Sequence, residues 1–84
     1  MYYGLMILKL TRHLQERIKE RGIKPEYVKK VLEKPDTQSK ESEDKVKAVR
    51  KIHKKKLVVI YKKDRFSFKN VEEKTYIVIT AYYL

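Results

Sequence analysis

Apolar residues along the chain follow two rhythms, a three-to-four-residue spacing in the first half and continuous or alternating runs in the second. Leu5, Met6, Ile7 and Leu8 stand together ahead of the polar Thr11. This predicts a short strand over residues 2–10, with Thr11 available to cap a helix beginning at Arg12. Leu10, Leu14 and Ile18 then recur at the spacing of one helical stripe, predicting a helix from Arg12 to Arg21 that Gly22 stops. Pro25 suits the first position of a second helix. Tyr27, Val28, Val31 and Leu32 keep helical spacing until Pro35 forbids continuation.

Asp36 to Asp44, "DTQSKESED", contains no apolar residue, so it is expected to be an exposed loop and the hinge between the halves. After it, Lys45 to His53 alternates loosely around Val46, Ala48, Val49 and Ile52, as a strand does. "LVVIY", Leu57 to Tyr61, is a continuous β-branched run fitting a central strand, and "TYIVITAYY", Thr75 to Tyr83, is a second. Between them, Phe66, Phe68 and Val71 make either a further strand or a long hairpin arm. The order is strand, two helices, then three or four strands. It predicts an α+β fold: a mainly antiparallel sheet with both helices on one face. A chain of 84 residues has material for one core, so residues 1–84 form a single domain.

Charge narrows the class of partner. Twenty-two Lys and Arg against eleven Asp and Glu leave a formal charge of +11, which calls for nucleic acid, an anionic membrane surface or an acidic protein. The charged composition, without Cys or Trp, resembles that of thermophile proteins. Absence of cysteine removes disulfides, thiolate metal sites and thiol nucleophiles, and suits a reducing interior. "MYYGLMILKL" lacks a basic start and the ~18 apolar residues of a membrane span, so a cytoplasmic protein with no membrane partner is expected. The two histidines, His13 and His53, lie forty residues apart, and Gly4 and Gly22 stand alone, so neither a metal site nor a phosphate-cradling loop is expected, and no cofactor. Ser39, Ser42 and Ser67 lie in polar stretches with no paired base, which leaves Ser-His-Asp hydrolysis unsupported.

Three groups of residues remain as carriers of chemistry. On a helical wheel at ~100° per residue, His13, Arg17 and Arg21 border the buried stripe while Gln15, Glu16, Lys19 and Glu20 occupy the far arc. A border row can grip a ligand; Arg17 and Arg21 can equally lie along the core edge, and Arg21 also complements the helix end. "KVKAVRKIHKKK", Lys45 to Lys56, carries seven Lys or Arg and no acid. As a strand it would neutralise several phosphates through Lys47, Lys51, His53, Lys54, Lys55 and Lys56, or simply protect a sheet edge from aggregation. The seven tyrosines mostly suit packing, but Tyr61 and Tyr82 close apolar runs and could stack on a base or present a hydroxyl. Together these residues permit metal-independent RNA cleavage. His13 would accept or donate a proton, Arg17, Arg50 and Lys51 would hold the phosphate, and His53, Tyr61 or Tyr82 would supply the other proton.

"TRHLQERIKERGIKPEYVKKVLEKPD" also resembles the signature of a small prokaryotic family of unknown function, whose members look similar to BrnT-like and RelE-like ribonuclease toxins. The signature falls on Thr11, His13, Arg17, Arg21, Gly22, Ile23, Val28, Val31, Leu32 and Pro35. "LVVIY" and "YIVITAYY" are similar to the family's central and closing strands, with Thr80 matching a characteristic threonine. Leu14 departs from a common alanine, and "DRFSFKNVEEK" lengthens the last hairpin. The resemblance implies a RelE-like α+β fold, toxin-like endoribonuclease action on mRNA, and neutralisation by an acidic antitoxin. The catalytic set would be His13, Arg17, Arg50, Thr80 and Tyr82, with Arg21, Lys47, Lys51, His53 to Lys56 and Tyr61 binding the strand. Competing readings are a non-catalytic RNA- or DNA-binding module using the basic strand, and a homodimer paired through the tyrosine-rich terminal strand.

Overall fold

A computed structural model of the chain describes residues 6–63 and 74–84. The elements are β1 (Met6–Lys9), α1 (Arg12–Glu20), α2 (Pro25–Glu33), β2 (Thr37–Lys40), β3 (Val46–Ile52), β4 (Lys55–Lys63) and β5 (Lys74–Tyr83). No helix among these residues is long and apolar enough to cross a membrane.

Local chemistry sets the ends of α1. The Thr11 side chain accepts the Leu14 N–H at 3.1 Å, satisfying one of the unpaired first-turn donors. At the other end Gly22 adopts φ +71°. This lets the Ile23 N–H reach the Ile18 carbonyl at 2.8 Å and the Gly22 N–H reach Lys19 at 3.1 Å, the paired bonds of a Schellman stop. Ile18 and Ile23 are both buried, so the stop also seals an apolar contact. Helix α2 begins with Pro25 in its first turn and buries Val28, Val31 and Leu32. Its N-cap, Lys24, makes no side-chain capping bond.

The strands form one sheet in the order β1-β5-β4-β3-β2. β1 runs parallel to β5, and the remaining pairings are antiparallel. Leu14, Ile18 and the buried α2 residues close over one side of this sheet, against Ala48, Ile52, Leu57, Val59, Tyr61, Tyr76, Val78 and Ala81. Each fully buried Leu or Val in such a core contributes roughly 1.5–3 kcal/mol. Tyr61 and Tyr76 meet edge to face at 5.1 Å, and Gln38 donates to the Tyr61 hydroxyl at 2.9 Å, so the buried oxygen keeps a partner.

The polar stretch after α2 is not the open loop that its composition predicts. Thr37–Lys40 is a strand whose four side chains are all exposed. It is held by ladder bonds to β3 and by Asp36, whose N–H donates to the Val49 carbonyl at 2.8 Å and whose carboxylate accepts the Lys51 N–H at 2.9 Å. An edge strand fixed by backbone pairing needs no apolar face, which is why hydropathy misses it. The expected first strand is described only from Met6, and the further strand expected around Phe66 to Val71 lies outside the described residues.

One irregularity decides which residues share a face. Between β4 and β5, Tyr61 pairs with Val78 but Ile60 pairs with Thr80, so Ile79 is an extra residue at a bulge. Its side chain is 41% exposed. Past the bulge the alternation of β5 is reversed.

Candidate nucleic-acid interface

Cross-strand partners point to the same side of a sheet, so register assigns every strand residue to a face. On the helix side stand Arg50 opposite Leu57, and Leu57 opposite Tyr83. On the opposite side, helix-free among the described residues, stand Lys47 opposite Ile60, Ile60 opposite Thr80, Val49 opposite Val58, Val58 opposite Tyr82, and Lys51 opposite Lys56. Val58 is fully buried, whereas Lys51 and Lys56 are exposed. Lys62 is on this face too, opposite Ile77, and reaches Asp44 of the β2–β3 turn at 3.2 Å. That pair holds the Asp44 carboxyl below the usual carboxylate range, chiefly through the Lys62 hydrogen bond. No described strand position on the helix-free face is acidic.

The residues expected to act together are thereby distributed over different surfaces. Thr80 and Tyr82 belong to the helix-free face; Arg50 belongs to the other, where its guanidinium donates to the Lys30 carbonyl of α2 at 3.1 Å. His13 and Arg17 are exposed on α1, with Arg17 Nε donating to His13 Nε2 at 3.0 Å. This leaves His13 with its acceptor nitrogen already engaged. They line a shallow hollow with Glu16, Glu20 and Arg21. Arg21 itself spans from the end of α1 to the Ala81 carbonyl at 2.8 Å, stapling helix to sheet. Tyr61, expected to meet a base, is only 3% exposed, because its alternation in β4 turns it toward the helices. Burial first, then the neighbouring Tyr76, raises its hydroxyl above the ordinary value.

The basic run does gather, around the β3–β4 hairpin. Ile52 and Lys55 close a two-residue turn made by His53 and Lys54. His53 has φ +58°, a backbone region that favours glycine. A β-carbon in that region costs about 1–2 kcal/mol. The strained backbone holds the imidazole against α2: Nε2 lies 3.3 Å from the Tyr27 hydroxyl, with the rings edge to face at 5.5 Å. Lys24 Nζ sits 6.0 Å from the centre of the Tyr27 ring, and Lys55 Nζ 5.3 Å from that of Tyr83. The Tyr83 hydroxyl is raised by burial and then by Tyr27 nearby. Nothing in the sequence signals that Lys24, Tyr27 and Tyr83 meet the hairpin turn. They join His53 only through the fold, and a His-Lys turn between strand runs lacks the Asn or Gly that would mark it.

Among the described residues no group of three or more His, Asp or Glu side chains is arranged to hold a metal ion. Comparison with curated proteins gives no match, and comparison with solved structures gives none. Residues 10–83 match a family described only as a domain of unknown function, DUF4258. The match starts one residue before the Thr11 cap and runs to the end of β5, taking in both helices and the four strands after them; the chain is therefore a member of the DUF4258 family.

Proposed function

We propose that this domain binds single-stranded RNA across the helix-free face of its sheet, toward the β3–β4 hairpin. The observation that carries the reading is the row formed by Lys47, Lys51 and Lys56 on a face with no acidic strand residue. None of the three is in an ion pair with a described carboxylate. Beside them Val49, Ile60, Ile77 and the half-buried Tyr82 ring offer a flat apolar strip for bases, and the Thr80 hydroxyl is a partner for a ribose 2′-hydroxyl.

Binding of a labelled single-stranded RNA, followed by fluorescence anisotropy at several salt concentrations, tests this. Combined charge reversal at Lys47, Lys51 and Lys56 is expected to lower affinity at least tenfold. It should also flatten the salt dependence by roughly 0.7 in log–log slope per lost phosphate contact. Reversal of the exposed Lys19 and Lys29 on the helices should leave affinity within about twofold, since those charges lie outside the track. Equal losses from both sets would sink the reading.

A second reading, metal-independent mRNA cleavage by a toxin-like enzyme, draws on the His13–Arg17 contact. There the Arg17 guanidinium donates to the His13 imidazole at 3.0 Å. In that case an acidic antitoxin would compete for the lysine row. RNA cleavage that persists with chelator and is abolished by His13→Ala would support it; intact RNA after incubation with wild-type protein would remove it.

A further inference from the structure

The hairpin end holds a second cationic cluster, on the helix side and away from the lysine row. Three elements contribute: Lys24 from the start of α2, His53 from the turn and Lys55 from the start of β4. Aromatic faces hold the two ammonium groups, Tyr27 under Lys24 and Tyr83 under Lys55. A ring face attracts a cation without neutralising it, unlike a carboxylate. None of the three basic groups is in an ion pair with a described carboxylate. Arg21 and Arg50, on the same side, are each fixed by a bond to a backbone carbonyl, Arg21 to Ala81 and Arg50 to Lys30. The ammonium groups of the cluster therefore keep donors to spare.

His53 supplies the independent sign. It is the described non-glycine residue with a positive φ, at a position glycine would fill with less strain, and its backbone directs the ring onto Tyr27. Strained residues of this kind gather at ligand sites.

We propose that Lys24, His53 and Lys55, framed by Tyr27 and Tyr83, form a seat for a phosphate group at the hairpin end. The source of that phosphate, an RNA strand leaving the sheet face over the turn, rests on the proposal of RNA binding. The seat itself does not. Lys51 and Lys56 flank the hairpin on one side of the sheet and Lys55 on the other, so a strand bound by the lysine row reaches the seat by crossing the tip.

Two measurements on the full chain test it. In the first, inorganic phosphate is titrated at fixed pH and ionic strength while NMR follows both histidine rings. Saturable movement of His53 with His13 unmoved is expected; equal, unsaturable drift of both overturns the seat. In the second, His53→Gly and His53→Asn are compared with wild type, because both substitutes tolerate the left-handed backbone and neither carries the imidazole. His53→Gly is expected to keep or raise Tm. Both variants should weaken phosphate and RNA binding about tenfold, the loss of one charge-assisted hydrogen bond. Unchanged phosphate affinity in a variant with undiminished Tm overturns the proposal. If phosphate moves His53 while RNA does not bind at all, the RNA reading fails and the seat stands. If RNA binds through the lysine row while inorganic phosphate leaves His53 unmoved, the seat fails and the RNA reading stands.

Discussion

Gly22 and His53 share a positive φ for opposite reasons. At Gly22 the left-handed turn lets two helix-end carbonyls be satisfied and brings Ile23 onto Ile18. An added β-carbon there would meet nothing within 4 Å, so Gly22→Ala isolates the backbone cost from any steric one. That cost is about 1–2 kcal/mol. Thermal unfolding should register it as a Tm lower by roughly 4–8 °C per kcal/mol for a domain of this size. An unchanged Tm would mean that the stop does not need this geometry. At His53 a positive φ is occupied by a residue with a β-carbon, and its side chain makes the contact with Tyr27. Strain that serves the fold is carried by glycine in this chain; strain carried by a side chain points toward a ligand. Arg21 belongs with the first kind: its bond to Ala81 makes it a staple, although it completes the basic row of α1.

The helices could be read from the sequence because every determinant is local: the Leu14–Ile18 stripe, the Thr11 cap, Gly22, and Pro25 in the first turn. β3, β4 and β5 could be read from their β-branched runs. β2 could not, since what holds it is a ladder with the facing residues of β3 and the Asp36 carboxylate on the Lys51 N–H, neither of which appears in hydropathy. The parallel pairing of β1 with β5 was equally hidden, because it joins the two ends of the chain. The site suffered most from one residue. Simple alternation along β5 puts Thr80 on the side of Val78, which is the side of Arg50 and of the helices. Ile79 as an extra residue reverses that parity and sends Thr80 and Tyr82 to the helix-free face. A candidate set drawn across two strands thus depends on a bulge that no composition signals, while the basic run, lying within one hairpin, survives as a cluster whatever the register elsewhere.

Across the molecule, a formal charge of +11 and a core edged with tyrosine hydroxyls oppose each other as pH rises. Tyr61, Tyr76 and Tyr83 are all raised above the ordinary 10.0, in each case first by burial. A raised acid pKa means that the folded state holds its proton when the unfolded chain has lost it. Below the unfolded value the neutral hydroxyls ionise in neither state and stability is intact. As pH climbs past 10.0 toward the folded values, the unfolded state gains by ionising and stability falls. The chain's positive charge repels itself, and any loss of that charge at high pH acts in the other direction. Salt separates the two. At about 1 M the screening length is ~3 Å, so surface repulsion is largely removed while burial of the tyrosine rings is untouched. Denaturant unfolding at high salt is therefore expected to show constant stability up to about pH 10 and a decline above it. Phenolate absorbance should rise later in the folded protein than in denaturant. Tyr61→Phe should flatten the decline, at the expense of the hydrogen bond from Gln38, which lowers stability equally at every pH by about 1 kcal/mol. Stability that stays level through this range at high salt would mean that the tyrosines ionise alike in both states, and that the sheet does not enclose Tyr61 and Tyr76.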